Sequence, residues 1–294
     1  MWLGVFWGLV SAATFGLIPL FTVPLLKAGY APATVLLYRF ALGTIILLPF
    51  ALLQKRRPHL SFAHHGKLAC VSCLYMLAAL LYFHAFRFLP SGVATTLVFS
   101  YPLMVMVLMV LFFHERFSWR RTTAVFLALA GVAMLARDHG TDTGSSPDGL
   151  LGVVLALLCG LICALYYLCI KGFKLPRMSN VLMTFYVMFW ATIICMVNSA
   201  VTGSFACITG WEHLGMVFLL ALITAVVSNY ALFLAIRRIG PTLVSILGAA
   251  EPFTAVAMGI LVFDEAFTLS LGVGFALIVA AITLCVLSPH GSGK

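Results

Sequence analysis

The chain alternates long apolar runs with short polar punctuation. A helix needs about 20 apolar residues to cross a bilayer. The pattern yields ten candidate spans: 2–22, 34–53, 66–88, 91–113, 120–136, 150–170, 180–201, 214–236, 241–262 and 268–287. The fifth is short. The expected fold is therefore all-α and membrane-integral, with ten transmembrane helices. One long polar stretch, RDHGTDTGSSPDG at 137–149, lies between spans five and six. It separates a first five-helix unit (1–136) from a second (150–288), with a short tail at 289–294.

The two units match each other. A shift of 150 lays AFRFLPSGVATTLVFSYP over AIRRIGPTLVSILGAAEP without a gap, so Arg87 meets Arg237 and Pro102 meets Pro252. Glu115 then meets Glu265, and Phe117 meets Phe267. Near the starts the shift is 148. Gly4, Gly8, Ala12 and Gly16 meet Gly152, Ala156, Gly160 and Ala164. Small residues at every fourth position form one smooth helix face, which lets another backbone approach closely. These matches predict a duplication.

Five is an odd number of spans, so the second unit must enter the membrane inverted. With the N-terminus inside, Lys55, Arg56, Arg57, Lys67, Arg116, Arg120, Arg121, Lys171, Lys174, Arg177, Arg237, Arg238 and Lys294 fall on the inner side. Lys27, Arg87 and Arg137 fall outside, and Arg39 lies within span two. This is the asymmetry expected of cytoplasmic loops and of cytoplasmic termini. Arg116, Arg120 and Arg121 pair with the uncharged Ala266, Ser270 and Leu271. An inverted repeat requires such a difference, because equivalent loops end on opposite sides.

Composition agrees. Hydrophobic residues make up 63% and charged residues 9% of 294, against about 45–50% and 25% in soluble domains. The net charge of +9 is explained by membrane orientation, and no basic arm with interleaved aromatics suggests a nucleic-acid partner. The partners expected are the lipid bilayer and a small-molecule substrate; no pattern sets an oligomeric state. The eight cysteines lie mostly within apolar runs. Cys70 and Cys73, and Cys159 and Cys163, are closely spaced, but neither pair has the partner ligands of a metal site. They read as small buried side chains, with no metal, cofactor or disulfide framework expected. The N-terminus has no Lys or Arg before Lys27, so it reads as a retained span and not a secretory signal.

Ten spans in two halves, a small-residue first span, Arg39 early in span two and AEPFTAVAMGILVFDE near the end together resemble the EamA branch of the drug/metabolite transporter superfamily. The first-half counterpart SYPLMVMVLMVLFFHE keeps the same frame. The resemblance covers nearly the whole chain. It implies a permease that exports small metabolites, often amino acids or related compounds, across a bacterial inner membrane. The superfamily also includes nucleotide-sugar and triose-phosphate transporters of organelles, so a solute exchanger of that type is the alternative. Inverted repeats suit alternating access around a central cavity. An intramembrane enzyme or a receptor is the rival class. No HExxH, GxSxG or GxxxxGK[ST] motif occurs, and no enzyme activity is expected.

Glu251 lies ten residues into span nine, about 15 Å deep at 1.5 Å per residue. An ionisable group at that depth faces a cavity or a partner. It is a candidate proton carrier or a ligand for a substrate amine. The structural reading is that its carboxyl bonds a neighbouring helix or the Gly248 carbonyl, which Pro252 leaves without a donor. Pro102 and Pro252 are expected to kink spans four and nine. Tyr101 precedes Pro102 as Glu251 precedes Pro252, and lines a cavity or bonds a nearby helix. Tyr75 and Tyr82 share a face of span three. Asn229 in span eight is a substrate ligand or interhelical glue. Tyr166 and Tyr167, with Trp7, Tyr186 and Trp190, are cavity residues or interfacial anchors. Arg39 snorkels or binds a substrate carboxylate. His84 sits near the outer end of span three as a wetted histidine or a pH sensor. Glu115 and Glu265 read as interfacial, with Ser118 and Thr268 as N-caps of the following spans.

Overall fold

Helices form where the sequence runs apolar, and several stop at a glycine, as those ending at Thr202, Ile239 and Leu247 do at Gly203, Gly240 and Gly248. The computed structural model describes residues 2–54, 60–89, 91–114, 118–137, 147–173, 178–263 and 269–286. Lys55, Arg56, Arg57, Glu115, Arg116, Lys174, Arg177, Glu265, Thr268, Lys294, most of the 137–149 linker and the 289–294 tail lie outside the described residues. The described residues contain helices and no strand. In chain order they are α1 (Trp2–Phe15), α2 (Ile18–Lys27), α3 (Pro32–Leu52), α4 (Phe62–Ala85), α5 (Ser91–Val98), α6 (Tyr101–Phe113) and α7 (Trp119–Arg137). There follow α8 (Pro147–Gly172), α9 (Asn180–Thr202), α10 (Trp211–Leu219), a π-helical segment (Leu220–Val227), α11 (Ser228–Ile239), α12 (Pro241–Leu247), α13 (Ala250–Phe263) and α14 (Leu269–Val286).

Six helical stretches are long and apolar enough to cross a membrane: Trp2–Lys27, Pro32–Leu52, Phe62–Ala85, Gly149–Gly172, Asn180–Thr202 and Trp211–Ile239. Tyr101–Phe113, Thr122–Met134 and Gly272–Leu284 are shorter apolar helices. Large side chains such as Phe6, Ile45, Leu111, Phe126, Val197 and Val279 point outward and exposed. That outer surface suits lipid, where an apolar exterior has no cost.

The structure departs from the expected continuous spans at three places. The first span breaks at Gly16–Leu17, ahead of Pro19. The fourth breaks at Phe99–Ser100 and the ninth at Gly248–Ala249. Pro102 and Pro252 do more than kink their helices. Each sits in the first turn of a restarted helix, α6 or α13. There the missing N–H and the i−4 clash are harmless.

The main packing pairs are α1 with α11, α4 with α8, α3 with α9, and α7 with α14. The small-residue stripes lie at these contacts. A Cβ on Gly8 would come 2.7 Å from Leu247 Cδ1, and one on Gly152 would come 2.7 Å from Leu89 Cγ. One on Gly160 would come 3.1 Å from the Val98 carbonyl oxygen. So α1 lies against α11–α13, and α8 against α4–α6. Buried hydroxyls need partners in an apolar interior and find them one turn back. Ser72 donates to the Leu68 carbonyl at 2.7 Å and Thr184 to that of Asn180 at 2.8 Å. Gly66 gives the contrast. It lies exposed on α4, and an added Cβ meets nothing within 4 Å. Gly66→Ala should raise stability by about 0.5–1 kcal/mol, seen as a higher melting temperature in detergent. A lower one would mean that α4 is tightly packed at this point.

Candidate functional site

The broken helices converge on one internal cavity. Its lining includes Gly8, Ser11, Ala12 and Phe15 from α1, Arg39 from α3, Tyr75 and Tyr82 from α4, Tyr101 from α6, Cys159, Cys163, Tyr166 and Tyr167 from α8, and Gly248 and Glu251 from the α12–α13 break. It offers about 110 Å³ to water-sized molecules. Six of the predicted site residues, Arg39, Tyr75, Tyr82, Tyr101, Tyr166 and Glu251, therefore share one space.

The breaks shape that space. At the ninth span, the Glu251 backbone N–H donates to the Gly248 carbonyl at 2.8 Å. The carbonyl expected to be left open by Pro252 is thus already taken. No hydrogen bond runs from the Glu251 carboxyl to it. The carboxyl takes no hydrogen bond from another described residue, and the side chain is half-buried on the cavity wall. Gly248 allows a further close approach, since any Cβ there would overlap the Tyr101 hydroxyl. The fourth and ninth spans thus meet at their breaks.

Four tyrosines form a connected wall. Tyr75 and Tyr166 rings are 5.5 Å apart, Tyr166 and Tyr167 are 5.9 Å apart, and Tyr101 stacks on Tyr167 at 5.8 Å and 17°. Such offset ring pairs add about 0.5–1.5 kcal/mol each to area burial. The Tyr82 and Thr95 hydroxyls bond at 2.7 Å. The Tyr166 hydroxyl is buried without a partner.

Arg39 does not snorkel. It is 1% exposed. Its Nη2 donates to the Tyr75 hydroxyl at 3.1 Å and to the Thr224 carbonyl at 2.9 Å. Its guanidinium lies 5.7 Å from the Phe40 ring centroid and 5.9 Å from that of Tyr75, within cation–π range. Its Nε has no partner. Arg39 and Glu251 line the same cavity but form no ion pair within 4.0 Å. One cavity therefore holds a guanidinium and a carboxyl group that do not contact each other.

Other predicted residues stand elsewhere. Asn229 is fully buried behind the wall, and its Nδ2 donates to the Tyr75 hydroxyl at 2.8 Å. Trp7 meets the Tyr230 ring at 6.2 Å. Tyr186 and Trp190 surround His65 at 5.8 and 6.0 Å. His84 does not line the cavity. Ser118 precedes α7, and its carbonyl accepts the Thr122 N–H at 3.0 Å. Sequence reasoning missed Gly248, Ser11 and Cys163 as lining residues. The signals were present: a glycine four residues before a proline, and thiols one helical turn apart.

A multi-pass helical membrane protein with a central cavity lined by broken helices is an architecture used by transporters. The profile of the EamA-like transporter family matches residues 2–137 and 150–287, and the chain belongs to that family. Its members are transporters and not enzymes. The chain is 26% identical over 235 residues to "Solute carrier family 35 member B1 homolog" of Drosophila melanogaster, covering 76% of this chain and 68% of that protein. It is 29% identical over 136 residues to "Uncharacterized transporter YdfC" of Bacillus subtilis (strain 168), covering 44% of this chain and 42% of that one. A crystal structure of a protein superposes with a TM-score of 0.79 at 17% identity, covering 97% of this chain and 96% of its own. That last likeness concerns the fold alone.

Proposed function

We propose that the chain is a secondary exporter of small metabolites, amino acids or close relatives, working by alternating access around the central cavity. The observation that carries this is the joint placement of Arg39 and Glu251 on one aromatic wall without contact between them. A zwitterion fits such a site, its carboxylate toward Arg39 and its ammonium toward Glu251.

The ten spans form two inverted five-helix repeats, 1–136 and 150–288, joined by the 137–149 linker. Packing supports this. Shifting the sequence by about 150 residues exchanges the α1–α11 contact with the α8–α4 contact and maps α3–α9 and α7–α14 onto themselves. A two-fold relation between halves has that property. The basic residues support cytoplasmic termini. A bacterial inner membrane is the setting implied by the family's usual members.

The test is reconstitution in liposomes with a panel of amino acids, their amides and a nucleotide sugar, under both directions of pH gradient. Faster movement of one or more amino acids than in empty vesicles is expected. Movement of the nucleotide sugar alone would favour the exchanger alternative. No movement of any solute would contradict transport by this chain.

A further inference from the structure

The eighth span is not a plain α-helix. Between α10 and α11 the backbone widens into a π-helix over Leu220–Val227. A π turn bonds each N–H to the carbonyl five residues back, whereas an α turn bonds four back. The Ser228 N–H accordingly goes to the Ile223 carbonyl, and α11 then runs from Ser228 with α spacing. That handover passes over one carbonyl, that of Thr224. An unpartnered carbonyl is costly inside a membrane protein.

Side chains supply what the backbone does not. The Thr224 carbonyl accepts Arg39 Nη2 at 2.9 Å and Asn229 Nδ2 at 3.4 Å. Asn229 Nδ2 also donates to the Ala225 carbonyl at 2.9 Å and to the Tyr75 hydroxyl at 2.8 Å. The same hydroxyl accepts Arg39 Nη2 at 3.1 Å. Arg39, the Thr224 carbonyl, Asn229 and Tyr75 therefore close a ring. The helix that corresponds to this span in the first half, α4, is α-helical throughout. The π segment thus belongs to one half only, so the shared scaffold does not require it.

We propose that this π segment is a built spacer. Its spare carbonyl, with Tyr75 and Asn229, positions Arg39 as the carboxylate-binding group of the cavity. The ring occupies Nη2 and fixes the guanidinium on the cavity wall, where a bound anion completes its hydrogen bonding. Tyr75 and Asn229 are then positioning residues. This inference rests on the cavity being the substrate site.

A π segment carries one residue more than an α-helix of the same rotation. Deleting Val227, which is partly exposed on the outer surface, restores α spacing without turning the flanking helices. Asn229 then lies four residues after Thr224, and its backbone N–H takes the spare carbonyl. Two readouts follow. Without ligand, phenylglyoxal modification of Arg39, followed by peptide mass spectrometry, should be several-fold faster in the deletion than in the wild type. In binding assays with L-leucine and L-leucinamide, the preference for the carboxylate should fall about tenfold or more, the lower value of a hydrogen bond to a charged group. Leucinamide binding should be unchanged. Tyr75→Phe removes one link without moving the backbone and should shift both readouts the same way, less strongly. It keeps the test open should the deletion not fold. Wild-type labelling of Arg39 in the variants overturns the proposal. Faster labelling in variants of a protein that shows no carboxylate preference even as wild type would keep the positioning ring and remove the substrate reading beneath it.

Discussion

Glu251→Gln should yield a folded protein that has lost most of its transport. The exchange keeps shape and hydrogen-bonding capacity and removes only the charge and the exchangeable proton. Folding should survive, because the carboxyl takes no hydrogen bond from a described residue and the Gly248 carbonyl beside it is held by backbone. Transport should fall, because the cavity then keeps Arg39 as its one ionisable group of fixed charge. An ionisable side chain within an apolar span that has no structural partner is the natural candidate for a functional role. Measuring uptake across pH separates two forms of that role. Residual transport that no longer varies with pH assigns Glu251 as the proton carrier. Residual transport that keeps its pH dependence assigns it to the substrate amine. Unchanged rates at every pH would remove Glu251 from the mechanism.

Gly16→Ala should be strongly damaging for a single added methyl. Gly16 sits at the break between α1 and α2 and faces the backbone of α13. An added Cβ there would overlap the Glu251 carbonyl oxygen, and would lie 2.9 Å from Thr254 Cβ and 3.2 Å from the Glu251 carbonyl carbon. Two of these obstacles are backbone, which cannot rotate aside as a side chain can. Relief requires α1 and α13 to move apart at the cavity wall. Overpacking of this kind costs about 1–3 kcal/mol, read as a lower melting temperature, and transport should fall with it. A Gly16→Ala protein as stable as the wild type would show that α1 and α13 do not approach so closely.

Much of this was legible in the sequence, because it depends on length and spacing. Apolar runs of about 20 residues announce helices in a bilayer. The glycine and alanine stripe from Gly4 to Gly16 announced a close backbone approach, and the structure places α11–α13 against it. Glu251 stood out because charge is rare at such depth. Less was legible where tertiary geometry decides. Pro102 and Pro252 signal a disturbance, but whether a helix bends or restarts depends on the neighbours that receive its freed ends. The π segment has no sequence signature here. LALITAVV reads as ordinary span, and only the spacing of the Ser228 hydrogen bond reveals the extra residue. Arg39 was placed in span two, but its depth of burial depends on Tyr75 and Thr224, 36 and 185 positions away. Asn229 carried two readings, binding or glue; the structure puts it behind the wall, bonded to a tyrosine that is on it.

In the proposed mechanism one cavity between the two halves opens to each side of the membrane in turn. Cys163 lines that cavity and can report on it once the other seven cysteines are replaced. Its labelling by a membrane-impermeant maleimide is the direct measurement, made in oriented vesicles with the reagent supplied on one side at a time. Reaction from either side, slowed in both cases by a transported solute, is the result predicted. Reaction from one side alone under every solute and pH condition would contradict alternating access.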